Sequence, residues 1–173
     1  MRNIKTLKLV QSALLAALCL LLTRVVTIPA PTGYVNLGDC AVLLSAWILG
    51  PIWGGMAAGI GTMLADVLSG YVSYAPATFL IKFAMAVIAA LIFRTLEQRQ
   101  RLAAHIVGAV SAEVLMIAGY YIFESACLGV GAAAAASVPA NMVQGVAGAV
   151  SGVLGIGALS KYHFVSQFRY LYQ

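Results

Sequence analysis

The stretch from Tyr34 to Lys82 most limits what this chain can fold into. It is almost entirely compatible with hydrocarbon, yet it carries three charged residues, Asp39, Asp66 and Lys82. A charge in or near a bilayer is costly and usually lines a cavity or pathway. The rest of the chain has the same character. Of 173 residues, 62% are hydrophobic and 9% charged, whereas a soluble domain carries about a quarter charged residues. Lipid is therefore the expected solvent. A single membrane domain, 1–173, is expected, since no long polar segment is present to form a second.

The net charge of +5 does not mark a nucleic-acid interface. The basic residues sit at the chain ends and in one loop, where membrane topology needs them, and not in a patch with aromatic stacking platforms. Cys19, Cys40 and Cys127 lack CxxC or Cys/His spacing, so no metal site or disulfide framework is expected and they read as small buried residues. The basic N-terminus precedes an apolar run with no small-residue cleavage site, which reads as a retained first helix and not a signal peptide.

Six spans are expected, at about 9–28, 40–50, 52–69, 77–93, 103–123 and 140–159. The first is long enough to cross about 30 Å of hydrocarbon at 1.5 Å per residue, with Arg24 near its far end able to snorkel. Pro29, Pro31 and Gly33 stop it and open a loop that can fold back over the protein. The run from Cys40 to Gly70 is too long for one span, and Gly50-Pro51 divides it. Its first part is short and has to be covered by neighbours, while Gly55 and Gly59 give the second a GxxxG spacing for close helix approach. Residues 124–138 are ambiguous, with Ala132–Ala136 able to extend a helix or form a short one. Pro139 suits the first turn of the last helix, and the basic, aromatic tail suits a headgroup interface.

Six spans with the N-terminus inside put Arg2, Lys5, Lys8, Arg94, Arg99, Arg101, Lys161 and Arg169 on the inner side and no basic residue in the outer loops, as the positive-inside rule requires. The expected fold is thus an all-α integral membrane protein, a compact six-helix bundle with both termini cytoplasmic. That topology turns sequence into depth. Asn36, Asp39, Tyr71 and Tyr74 fall on outer loops. Asp66, Lys82, Tyr120, Glu124, Asn141 and Gln144 fall in the outer halves of helices, and Glu113 sits deeper. Asn141 and Gln144 share a helix face. The convergence describes an outward-facing pocket with acidic acceptors, a cationic donor, amides and aromatic faces for a flat ring. Asp66 and Lys82 either pair with each other or meet a ligand, and the two roles are compatible. Glu113 either bonds within the bundle or touches ligand. Separately, Ala13 and Ala17, beside Ser12 and Ala16, form a small-residue strip on the first helix where another helix can pack.

With AxxxA at Ala13–Ala17, YVNLGD at Tyr34–Asp39, LADxLSGY at Leu64–Tyr71, APATFLIK at Ala75–Lys82 and PANMVQG at Pro139–Gly145, the chain resembles the substrate-binding S components of energy-coupling factor (ECF) vitamin transporters along nearly its whole length. The resemblance is nearest to the branch of riboflavin and pyridoxine or hydroxymethylpyrimidine carriers. It implies a vitamin pocket near the outer surface of a prokaryotic plasma membrane, roofed by the loop after helix 1. It also implies a complex with a coupling transmembrane subunit, met through Ala13 and Ala17, and two cytoplasmic ATPases. The chain carries no GxxxxGK[ST] phosphate loop of its own, and no cofactor is implied. The expected function is capture of a pyridoxine- or hydroxymethylpyrimidine-type compound, with riboflavin, folate or another vitamin as alternatives. An intramembrane enzyme or a non-transporting scaffold are alternatives of another class. Against the enzyme, no HExxH, Gly-x-Ser-x-Gly elbow or acidic metal cluster is present, and His105 and His163 lie away from the acidic groups.

Overall fold

The computed structural model describes residues 4–30 and 33–161. The tail readings at His163 and Arg169, with Arg2 and Pro31, lie outside the described residues. The order is α1 (Ile4–Val25), β1 (Thr27–Ala30), β2 (Gly33–Asn36), α2 (Gly38–Leu68), α3 (Ala75–Leu96), α4 (Arg101–Ile122) and α5 (Val138–Lys161). A single wide turn with i→i+5 bonding, Phe123–Cys127, prolongs α4, and a tight 3-10 stretch, Gly131–Ser137, leads into α5. Among the described residues, five helices are long and apolar enough to cross a membrane. Their outer faces leave Leu14, Leu21, Val110, Val114, Val146 and Leu154 exposed. Such surface is an aggregation hazard in water, but in lipid it is the ordinary solvent contact.

The second helix is where chain chemistry shapes the bundle most. Gly50 within α2 has φ 77° and ψ −175°, a conformation essentially reserved for glycine, and Pro51 follows it. The helix folds back there. A Cβ placed on Gly54 would meet the backbone of Ser45 and Ala46, residues a straight helix carries far away. A straight run would also set Asp39 and Asp66 roughly 40 Å apart, yet Asp66 and Asn36, three residues before Asp39, line the same cavity. The first arm, Gly38 to Gly50, is roughly 18 Å long at 1.5 Å per residue and is buried on nearly every side, so it forms the axis of the core. An all-round apolar helix needs this enclosure. The second expected span, about 40–50, falls on this central arm, which is shorter than a bilayer core.

Around that axis, small residues let backbones approach. A Cβ on Gly61 of α2 would collide with the carbonyl of Ala16 in α1, and one on Gly148 of α5 would stand 2.6 Å from the Asp39 Cβ. The core joins Val42, Leu43 and Leu49 of the central arm to Met85 and Ala89 of α3, Ala109 and Met116 of α4, and Ile156 of α5. At the end remote from the cavity, His105 sits between Trp47 and Phe93, ring centroids 4.5 and 4.2 Å away.

Two local readings change. The first helix ends at Val25 instead of about residue 28, and the following loop is an antiparallel hairpin in which Thr27 pairs with Asn36 and Ile28 with Val35. Its polar, Pro-interrupted sequence carries no alternating apolar signal. Of the three cysteines read as buried, only Cys19 is; Cys40 is half-buried and Cys127 exposed.

Candidate functional site

The hairpin, both ends of α2, the start of α3, the end of α4 and the start of α5 meet at one end of the bundle. Between them lies a cavity lined by Tyr34, Asn36, Asp66, Tyr71, Tyr74, Thr78, Tyr120, Glu124, Ser137, Ala140, Asn141 and Gln144. It holds about 480 Å³ of empty space, open mouth included.

Aromatic rings form its rim in sequence. Tyr34 and Tyr71 stand with centroids 5.1 Å apart, Tyr71 and Tyr74 6.2 Å, and Tyr74 and Phe123 5.4 Å, within the range of favourable tilted and edge contacts. The hydroxyls serve the acids. Tyr34 donates to Asp66 Oδ1 at 2.6 Å, and Tyr74 donates to Glu124 Oε1 at 3.4 Å. Burial, together with the Asp66 carboxyl it bonds, pushes Tyr34 above the usual phenol range, so it remains a proton donor. Ser137 donates to Glu124 Oε2 at 2.5 Å, and Thr78 and Tyr120 share a hydrogen bond of 3.0 Å.

Below the cavity runs a buried polar chain. The backbone N–H of Asn36 and its Nδ2 donate to Gln144 Oε1 at 2.9 and 3.2 Å. Gln144 Nε2 donates to Asp39 Oδ2 at 2.7 Å, and the other Asp39 oxygen takes the Lys82 ammonium. Asn36 Oδ1 accepts from the Gly38 N–H at 2.8 Å, holding the start of the central arm. Lys82 and Asp39 are 2% and 0% exposed, and the ammonium lies 5.5 Å from the Tyr120 ring centroid. Both Asp39 oxygens are thus occupied, which a tolerable buried ion pair requires of its carboxylate.

Of the ten residues read from sequence as substrate-binding, eight line this cavity: Asn36, Asp66, Tyr71, Tyr74, Tyr120, Glu124, Asn141 and Gln144. Asp39 and Lys82 do not; they form the pair beneath it. Of the two readings left open for Asp66 and Lys82, the structure shows no pair between them, since the Lys82 ammonium binds Asp39. Asp66 instead takes the Tyr34 hydroxyl. Tyr34, Thr78 and Ser137 were not singled out. Thr78 stands four residues before Lys82, on the same face of α3, and that spacing is a signal for it. Tyr34 and Ser137 reach the cavity through the hairpin, not legible in sequence, and the 3-10 stretch, where a short helix was one of two alternatives. Glu113 of α4 is 5% exposed, and among the described residues its carboxyl oxygens have no hydrogen-bond partner. It packs against Gly145 and Gly148 beside Asp39.

Ala13 and Ala17 are exposed on α1. With Leu9, Leu20, Trp53 and Met56 they line an apolar trough between α1 and the second arm of α2.

Comparison with known proteins agrees with this architecture. Residues 3–161 match the family described as ECF-type riboflavin transporter, S component. The chain is also 35% identical over 136 residues to a protein of Pyrococcus woesei described as an uncharacterized protein in a gap 3′ region, covering 79% of this chain and 88% of that one.

Proposed function

This chain belongs to the ECF-type riboflavin transporter S component family, and on that premise we propose that it captures a compact, flat, hydroxyl-bearing heterocycle of the pyridoxine or hydroxymethylpyrimidine kind in the cavity between Tyr34, Tyr120 and Asn141. At the level of the family, it is a multi-pass membrane protein and a substrate-capture subunit of vitamin uptake, not an enzyme, that works with a coupling module and ATPases. The reading rests on one observation: about 480 Å³ of space, open mouth included, is walled by Tyr34, Tyr71, Tyr74 and Tyr120 beside Asp66, Glu124 and Asn141. Stacking on tyrosine faces and hydrogen bonds to Asp66, Glu124 and Asn141 would hold a small ring there. A second reading, riboflavin, is favoured by the description of the family itself.

In the proposed membrane arrangement the cavity faces outward and both termini face the cytoplasm of a prokaryotic cell. Six crossings follow if the two arms of α2 count separately. The basic residues support this orientation: Arg94, Arg99 and Arg101 fall at the end opposite the cavity, with the Gly50 turn next to Arg94, and basic residues collect on the cytoplasmic side. The exposed Ala13–Ala17 strip is the proposed docking surface for the coupling subunit, since small residues four apart admit a close helix. The two ATPases would then attach through that subunit.

The test is calorimetric titration of the purified chain in lipid nanodiscs with hydroxymethylpyrimidine, pyridoxine, riboflavin and folate, with native mass spectrometry for a vitamin that travels with it. Tighter binding of a single-ring compound supports the proposal. Riboflavin binding at least tenfold tighter, about 1.4 kcal/mol, would favour the second reading. Binding of none would remove the vitamin pocket.

A further inference from the structure

Granted the vitamin-capture reading above, we infer that this cavity selects the uncharged or cationic form of its ligand and rejects anionic forms, phosphate esters and carboxylates above all. The sequence suggested a mixed pocket of acids and one cation. The structure removes the cation. Asp66 and Glu124 are the charged residues of the lining, and among the described residues no Lys, Arg or His lines it. The Lys82 ammonium is spent on Asp39 beneath the floor. Arg24, at the same end of the bundle, donates to Ser69 Oγ at 2.8 Å and stands outside the lining.

Several of the lining's hydrogen-bond donors are also committed. A phosphate or carboxylate is held by donors, chiefly Arg, Lys, hydroxyls and backbone N–H groups. Here the Tyr34 hydroxyl serves Asp66, while the Tyr74 and Ser137 hydroxyls serve Glu124. The Gln144 amide N–H serves Asp39. The Asn141 amide and the Tyr71 hydroxyl remain as donors, neither of them cationic, beside the carboxyl groups of Asp66 and Glu124. Helix ends do not reverse the balance. The starts of α2, α3 and α5 lie at this end of the bundle, but so do the ends of α1, α2 and α4, and their opposed partial charges offset. The formal charge of two carboxyl groups decides the sign. Specificity then comes from repulsion as much as from attraction.

The experiment uses matched pairs on the full chain in lipid nanodiscs: riboflavin with riboflavin 5′-phosphate, pyridoxine with pyridoxine 5′-phosphate, and hydroxymethylpyrimidine with its phosphate. For whichever pair binds, the phosphate ester is expected to bind at least tenfold more weakly than the alcohol. Glu124→Gln and Asp66→Asn, each close in shape to the original and checked for a monodisperse gel-filtration peak, should narrow that gap. A phosphate ester that binds as tightly as its alcohol overturns the inference and leaves the vitamin-capture reading standing. A gap unchanged in both variants overturns it too, because the carboxyl groups would not be its cause. If no member of any pair binds, the vitamin-capture reading falls first and this inference with it, a result distinct from equal binding within a pair.

Discussion

Replacing Lys82 with methionine leaves the Asp39 carboxylate at the centre of the bundle without its counter-ion. Both groups are almost wholly buried. Two unit charges about 3 Å apart at an effective dielectric constant of about 20 attract by roughly 5 kcal/mol, and breaking a buried pair from one side typically costs about 3–5 kcal/mol. The Gln144 bond to Asp39 Oδ2 survives the change, which puts the expected loss near the lower figure, about 3 kcal/mol. Asp39→Asn alone strands the ammonium and should cost a similar amount. The double variant removes both charges, keeps an oxygen for Gln144, and should be less destabilised than either single. Reversible unfolding in mixed micelles, followed by helical circular dichroism, measures all three against the parent. The cycle also separates structure from ligand contact. Lys82 is absent from the cavity lining, so binding by the double variant should stay within about threefold of the parent, roughly 0.7 kcal/mol. A double variant as unstable as the sum of the singles would refute the ion-pair reasoning, and loss of binding in a stable double variant would return Lys82 to the ligand.

Other expectations follow from single features. Gly50→Ala imposes a side chain on a glycine-only conformation, with Arg94 Nη2 2.7 Å from the new Cβ; a cost of about 1–3 kcal/mol is expected in the same unfolding assay, and an unchanged midpoint would contradict the fold-back of α2 at Gly50. Asn141→Ala, in the cavity wall, should weaken vitamin binding by about tenfold or more, about 1.4 kcal/mol, as read by calorimetry, with little change in stability. Ala13→Trp fills the exposed trough on α1 without touching the cavity. Binding by the isolated chain should be preserved while uptake by cells carrying the coupling module is lost, and normal uptake would remove the docking proposal.

Much of the fold was legible because lipid imposes simple rules on a sequence. Long apolar runs broken by Pro51, by Pro29 with Gly33, and by Arg94–Arg101 mark where helices start and stop. The Gly50-Pro51 pair announced a break, and the structure turns there. The hairpin Thr27–Asn36 was not legible, since its strands are four residues each and carry Pro29 and Gly33 inside what reads as a loop. The eight cavity residues that sequence grouped together were found by depth alone, since each falls at the same end of the bundle, near a helix end or in a connection there. Tyr34 and Ser137 were missed because their position depends on irregular segments whose path depth does not fix.

By itself the sequence determined the solvent, the approximate ends of the helices and the end of the bundle at which polar chemistry gathers. Those properties depend on how many apolar residues run in succession and where charges interrupt them. Tertiary structure alone decided which acid Lys82 meets. Asp39, Asp66 and Glu113 all lie within the reach that depth allows, and the choice among them turns on helix rotation and separation. Contacts such as Gly148 against Asp39 and Gly61 against Ala16 set that rotation, bringing Asp39 of the central arm to face α3. The consequence is chemical: the ammonium that composition offered to a ligand is neutralised under the floor, and the cavity above it is left acidic.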